Sequence, residues 1–228
     1  GDLRTPRFAA RRAQIHLEQS LIKRWLRQML EGLVYIHSQS VVHRDLKASN
    51  VFLHSSWRTA LLGDFGISTV LNTQTFSKSC VGTPAYMSPE VIRNDRCTTA
   101  VDMWGIGVIL YELLALTPPF KGALLALVYQ ISFNEPEEAP LQTGGYSEHL
   151  LRLIKRLISK DPETRPSARA LIEEEALWEG FCMEASEAKA MAACAESART
   201  ESQGWAEDAQ PNLPCASDMS ARSGTDDV

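Results

Sequence analysis

Arg44, Asp45, Lys47 and Asn50 fall within seven residues of the stretch VVHRDLKASNVFL (Val41–Leu53), between two apolar runs. Charged groups against hydrophobic flanks are costly unless they are paired or put to use. The stretch is therefore either a satisfied structural loop or a reaction centre. Its residue types suit phosphoryl transfer. That reaction needs a carboxylate to take a hydroxyl proton, cations against phosphate oxygens, and oxygen ligands for magnesium. Asp45 can be the carboxylate, and Lys47 can meet a phosphate as a point charge. Asn50 offers a neutral oxygen. Magnesium prefers at least one carboxylate among its ligands, and Asp64 supplies one inside GDFG, where flanking glycines let the backbone turn sharply.

Several elements must position these groups. Leu21, Ile22, Trp25, Leu26, Met29, Leu30, Leu33 and Ile36 recur at three- and four-residue steps, which predicts an amphipathic helix over about 17–37. Its other face carries Lys23, Arg24, Arg27 and Glu31, read as solvated. NVFL (50–53) and ALLGDF (60–65) read as two short strands around a polar turn at 54–58. Residues 66–87 show no period and read as a long irregular segment of the functional kind. AVDMWGIGVILYELLAL (100–116) is apolar on most faces, as a buried helix is, and TPPF ends it. Two more helices are expected over 147–159 and 167–177, with Ser147 and Ser167 as N-caps.

Composition bounds the function. A chain of 228 residues with 44% hydrophobic content can form one domain with a real core, or two small ones. A net charge of −5 gives no reason to expect a nucleic-acid partner. Residues 183–228 hold nine acidic and three basic side chains, eleven alanines and one aromatic, Trp205. That stretch reads as an acidic, Ala/Ser-rich disordered tail. The five cysteines include no CxxC and the five histidines no HExxH, so a disulfide scaffold or zinc site is not expected. No apolar run is long enough to span a bilayer. The expected setting is a reducing, cytoplasmic one, with nuclear or cytoskeletal association open.

HRD followed by Lys47, Asn50 and then GDFG at this spacing resembles the eukaryotic protein kinases. SPE (88–90) stands where that family has APE, and DMWGIG (102–107) and Arg165 in DPETRPS follow in the family's order. LGDFGISTVLN, SCVGTPAYMSPEVI and NVFL look most like the Nek (NIMA-related) Ser/Thr kinases. The resemblance covers residues 1–182 and implies a protein-kinase-like fold, namely the mainly α-helical C-terminal lobe with a short β-hairpin. It implies ATP and Mg2+ as cofactors and proteins as substrates. By the same resemblance Asp45 is the catalytic base and Lys47 contacts the transferred phosphate. Asn50 and Asp64 hold magnesium, Phe52 lies under the adenine, and Thr83 braces Asp45 and Lys47. His43, Phe65 and Asp102 would form the internal support of the catalytic loop, and Glu90 would pair with Arg165. Lys47 with GTP (82–84) argues for Ser/Thr acceptors, and Ser49 removes one reason to expect a preference for basic substrates. Arg44 would receive a phosphate on Ser79. No GxGxxG and no VAIK-like lysine occur in these residues, and the chain opens at GDL. A fragment without the N-terminal lobe is therefore expected. The alternative is a noncatalytic C-lobe serving as a binding or regulatory module.

Overall fold

Every residue from Val101 to Leu114 is buried, so the helix Ala100–Ala115 (α4) has no solvent face and the rest of the fold is built around it. It ends at Leu116, which takes a left-handed conformation (φ 58°) just before the prolines. The structure, a computed structural model, describes residues 1–54, 56–64, 69–70 and 84–181. The chain divides into the units Gly1–Cys182 and Met183–Val228, and all described residues lie in the first.

Ahead of α4 come α1 (Arg4–Ala13), α2 (Gln19–Ser38), β1 (Val41–Val42), β2 (Val51–Leu53), β3 (Ala60–Leu62), β4 (Thr69–Val70) and α3 (Pro89–Ile92). After it come α5 (Leu124–Phe133), α6 (Ala139–Gln142), α7 (Glu148–Leu157), α8 (Ala168–Glu173) and α9 (Glu175–Trp178). The strands form two antiparallel pairs, β2 with β3 in the register Val51–Leu62 and β1 with β4 in the register Val41–Val70. α2 packs on α4, α8 and β3, and α7 packs on α4. The apolar stripe expected on α2 is in the core, with Ile22, Trp25, Leu26, Met29, Leu30 and Leu33 buried.

Four expectations need correction. The opposite face of α2 is not solvated throughout. Lys23 is 5% exposed and donates to Glu179 O at 3.0 Å. Arg27 donates to Glu31 and to Ile172 O, and its guanidinium lies 5.1 Å from the Trp178 ring. The helix expected over 167–177 is two helices, because Glu174 is extended (φ −79°, ψ 90°). Ser167 caps α8 by accepting from Ala170 N–H, but the buried Ser147 hydroxyl makes no such bond at the start of α7. Residues 66–87 are not wholly irregular, since β4 and a 3-10 turn at Pro84–Tyr86 lie within them. Two-residue strands are too short for a period to declare them.

Candidate active site

The loop from His43 to Asn50 hangs from α4 by one carboxylate. Asp102 is 1% exposed; its Oδ2 accepts from His43 N–H at 3.0 Å and its Oδ1 from Arg44 N–H at 2.9 Å. His37, at the end of α2, places Nε2 2.8 Å from the same Oδ2. Three hydrogen bonds thus stabilise a charge that burial alone would disfavour. α4 approaches the loop closely because residue 105 is glycine. A Cβ there would lie 2.8 Å from Leu46 Cβ and 3.0 Å from Leu46 O.

His43 is fully buried, and its Nε2 lies 2.9 Å from Gly63 O. Gly63 N–H donates to Asn50 O at 2.9 Å. These two links hold the residue before Asp64 against the loop that carries Asp45. Arg44 (φ 68°) and Asp64 (φ 59°) both adopt the left-handed conformation, which side chains other than glycine rarely take.

The polar groups of the loop converge on Asp45. Lys47 Nζ donates to Asp45 Oδ2 at 2.5 Å, and Asn50 Nδ2 donates to Asp45 O and to Oδ2, each at 2.9 Å. Both Asn50 amide donors face Asp45, so its Oδ1 is turned away and accepts from Ser49 Oγ at 3.2 Å. Asp64 is exposed, and no hydrogen bond or ion pair involves its carboxylate among the described residues. A neutral amide oxygen and an open carboxylate on adjoining segments are the donor set that a hard divalent cation takes. The hairpin β2–β3 turns Val51 and Leu53 inward and leaves Phe52 46% exposed beside Gly63.

Glu90 and Arg165 form a second, buried unit, with side chains 2% and 0% exposed. The guanidinium donates to both carboxylate oxygens at 2.5 and 2.8 Å, to Ser159 O at 2.9 Å and to Ala100 O at 3.0 Å.

The protein kinase domain family matches residues 5–177. The chain belongs to that family. It is 40% identical over 150 residues to the human serine/threonine-protein kinase Nek5, covering 65% of this chain and 21% of that protein. It is 35% identical over 176 residues to the probable serine/threonine-protein kinase nek2 of Dictyostelium discoideum, 75% of this chain and 41% of the relative. The serine/threonine-protein kinase Nek3 of Oryza sativa subsp. japonica is 41% identical over 149 residues, 65% of this chain and 25% of the relative. The kinase domain is thus Nek-like, and the chain spans between about a fifth and two fifths of the length of these relatives.

Within the kinase domain the described residues bring Arg44, Asp45, Lys47, Asn50 and His43 together on one loop tied to Asp102. Phe65, Ser79 and Thr83 lie outside the described residues. Sequence reasoning missed His37, whose signal was its position one turn before a strand that feeds the loop. It also missed a group around α4. Glu112 is buried there and accepts from the Tyr86 hydroxyl at 2.5 Å, while Arg7 forms an ion pair with its other oxygen. Burial first, and then the Glu112 carboxylate, push the Tyr86 phenol well above its ordinary range.

Proposed function

We propose that this kinase domain transfers the γ-phosphate of ATP to serine or threonine hydroxyls of protein substrates. The observation that supports this reading most is the Asp45 carboxylate, oriented by Lys47 and Asn50 on a loop fixed to Asp102. In this reading Asp45 accepts the hydroxyl proton as the substrate oxygen bonds to the γ-phosphorus and the bond to the bridging oxygen of ADP breaks. Lys47, within reach of Asp45, meets the negative oxygens of the transferred group. Asn50 Oδ1 and Asp64 would hold magnesium, which supplies charge neutralisation at the phosphates when bound. Phe52 would take the adenine on its exposed ring, and Thr83 would brace the loop. A phosphate on Ser79 would bring about −1.5 to −2 charge to the Arg44 side of the site.

The alternative reading is a noncatalytic lobe that serves as a binding or regulatory module. One experiment separates the two. The full-length protein is assayed on a Ser/Thr peptide with ATP and magnesium, beside Asp45→Asn. The kinase reading expects transfer, and a loss of about two to four orders of magnitude in the variant at unchanged melting temperature. No transfer by the unsubstituted protein overturns it in favour of the second reading. Near-normal turnover by Asp45→Asn overturns the role given to Asp45.

A further inference from the structure

Besides Asp102, α4 buries one other acid. Glu112 is 4% exposed on a helix that is otherwise apolar at its centre, where an uncompensated carboxylate is costly. Its two partners come from elements far apart in the chain. Arg7 of α1 pairs with Oε1, the two side chains being 12% and 5% exposed, and Tyr86 donates to Oε2. Tyr86 ends the turn Pro84–Tyr86, which closes with Met87 N–H donating to Pro84 O at 3.3 Å. That turn directly follows Thr83. Its C-terminal side is fixed by the Glu90–Arg165 pair, and the Tyr86–Glu112 bond ties down the turn itself.

Arg7 has no bond to the turn, yet it decides what Tyr86 can bond to. Arg7 holds Oε1 and so keeps the carboxylate turned with Oε2 toward the phenol, a strong acceptor for it. Without it the charge would face a single donor in a poorly solvated place. The carboxylate would then swing toward water, and that change weakens the hold on Tyr86. Few other contacts give α1 a place in the core, since only Pro6 and Ala10 of it are buried.

We propose that Arg7 is a positioning residue which, through Glu112 and Tyr86, holds the Pro84–Tyr86 turn where a peptide substrate must lie. This rests on the kinase reading above for the word substrate, but not for the mechanical link. Arg7 therefore sets the affinity for the protein substrate and not for the nucleotide.

The link is tested on the chain as it stands, by amide exchange at Met87. Arg7→Met should speed exchange at Met87 about tenfold, the scale of losing one hydrogen bond's net worth locally. Tyr86→Phe, which removes a single oxygen, should do the same, and Arg7→Lys should restore most of the protection. A role confined to α1 would instead raise exchange at Ile15, which donates to Ala10 O, and leave Met87 unchanged. An unchanged Met87 in folded Arg7→Met overturns the proposal. If that variant does not fold, an unchanged Met87 in Tyr86→Phe overturns it. In the full-length kinase, Arg7→Met should raise the peptide KM several-fold and leave the ATP KM alone; equal changes in both overturn the assignment to the substrate side. A protein without phosphotransfer would sink only the kinase reading, because the exchange result stands without it.

Discussion

Replacing Arg165 by Met should cost this fold more than replacing Glu90 by Gln, although the two side chains form one ion pair. Removing one partner of a buried pair typically costs about 3–5 kcal/mol, because the other charge is left without compensation. What is left differs on the two sides. After Glu90→Gln the guanidinium still donates to Ser159 O and Ala100 O and still lies 5.1 Å from the Trp104 ring. That places the cost near or below the lower end, at about 2–3 kcal/mol. After Arg165→Met the stem volume is largely kept, but the Glu90 carboxylate, 2% exposed, loses both of its side-chain bonds. That places the cost near the upper end, at about 5 kcal/mol. Urea unfolding at neutral pH measures both, provided the slopes agree so that midpoints report stability. The double variant should lie well under the sum of the singles, by more than about 1 kcal/mol, because the two residues act through one contact. Equal costs, or a larger cost for Glu90→Gln, would refute the argument that the backbone carbonyls shelter the arginine.

Lys160 carries a pH dependence of definite sign. Burial over Trp104 and Phe120, whose ring centres lie 5.2 and 4.6 Å from Nζ, pushes its ammonium down to about 8 from an ordinary 10.5, with Glu135 opposing. Between these values the unfolded chain binds more protons, so stability should rise from pH 8 to 9.5, and Lys160→Met should remove most of the rise, leaving what the lowered ammonium of buried Lys23 adds in the same sense. Above that window the raised tyrosines, Tyr86 and Tyr111 foremost, act in the opposite sense. A flat unfolding midpoint across the window in the unsubstituted chain would count against the burial argument. Gly105→Ala should destabilise by about 1–3 kcal/mol, because the new methyl must displace the Leu46 backbone. Helix propensity alone would favour Ala by about 1 kcal/mol, so a more stable variant in the same denaturation experiment would refute the close-approach reading.

The parts that could be read from the sequence were those with a strong local pattern. The stripe Ile22–Leu33 and the all-apolar run of α4 have a period or a length that few other structures share, and both helices stand within about two residues of their expected ends. Asp45, Lys47 and Asn50 were visible as a polar cluster, and the structure brings Lys47 and Asn50 to the Asp45 carboxylate. The Glu90–Arg165 pair and the tie of the loop to Asp102, expected from the resemblance, are present, but the distant partners that no resemblance named were missed. Lys23 and Arg27 have the composition of a solvated face, and only the return of residues 172–179 across α2 covers them. Glu112 reads as one polar letter in an apolar helix, and its pairing with Arg7 and Tyr86 joins three separated segments. The break at Glu174 has no glycine or proline to announce it; the chain bends there and α9 packs against α7. Ser147 has the right type and place for a cap, but its hydroxyl is buried away from the helix N–H groups.

Arg44 and Asp64 sit in the left-handed region, one on each of the two segments that meet at the site. Glycine at either position would adopt that backbone without strain and relieve about 1 kcal/mol or more. A search for thermostable variants that scored folding alone would therefore drift toward glycine at these two positions. It would remove a guanidinium and a carboxylate while reporting an improvement. Their presence is a small, standing debt in stability, and it marks these positions as ones to hold fixed when the domain is engineered for robustness.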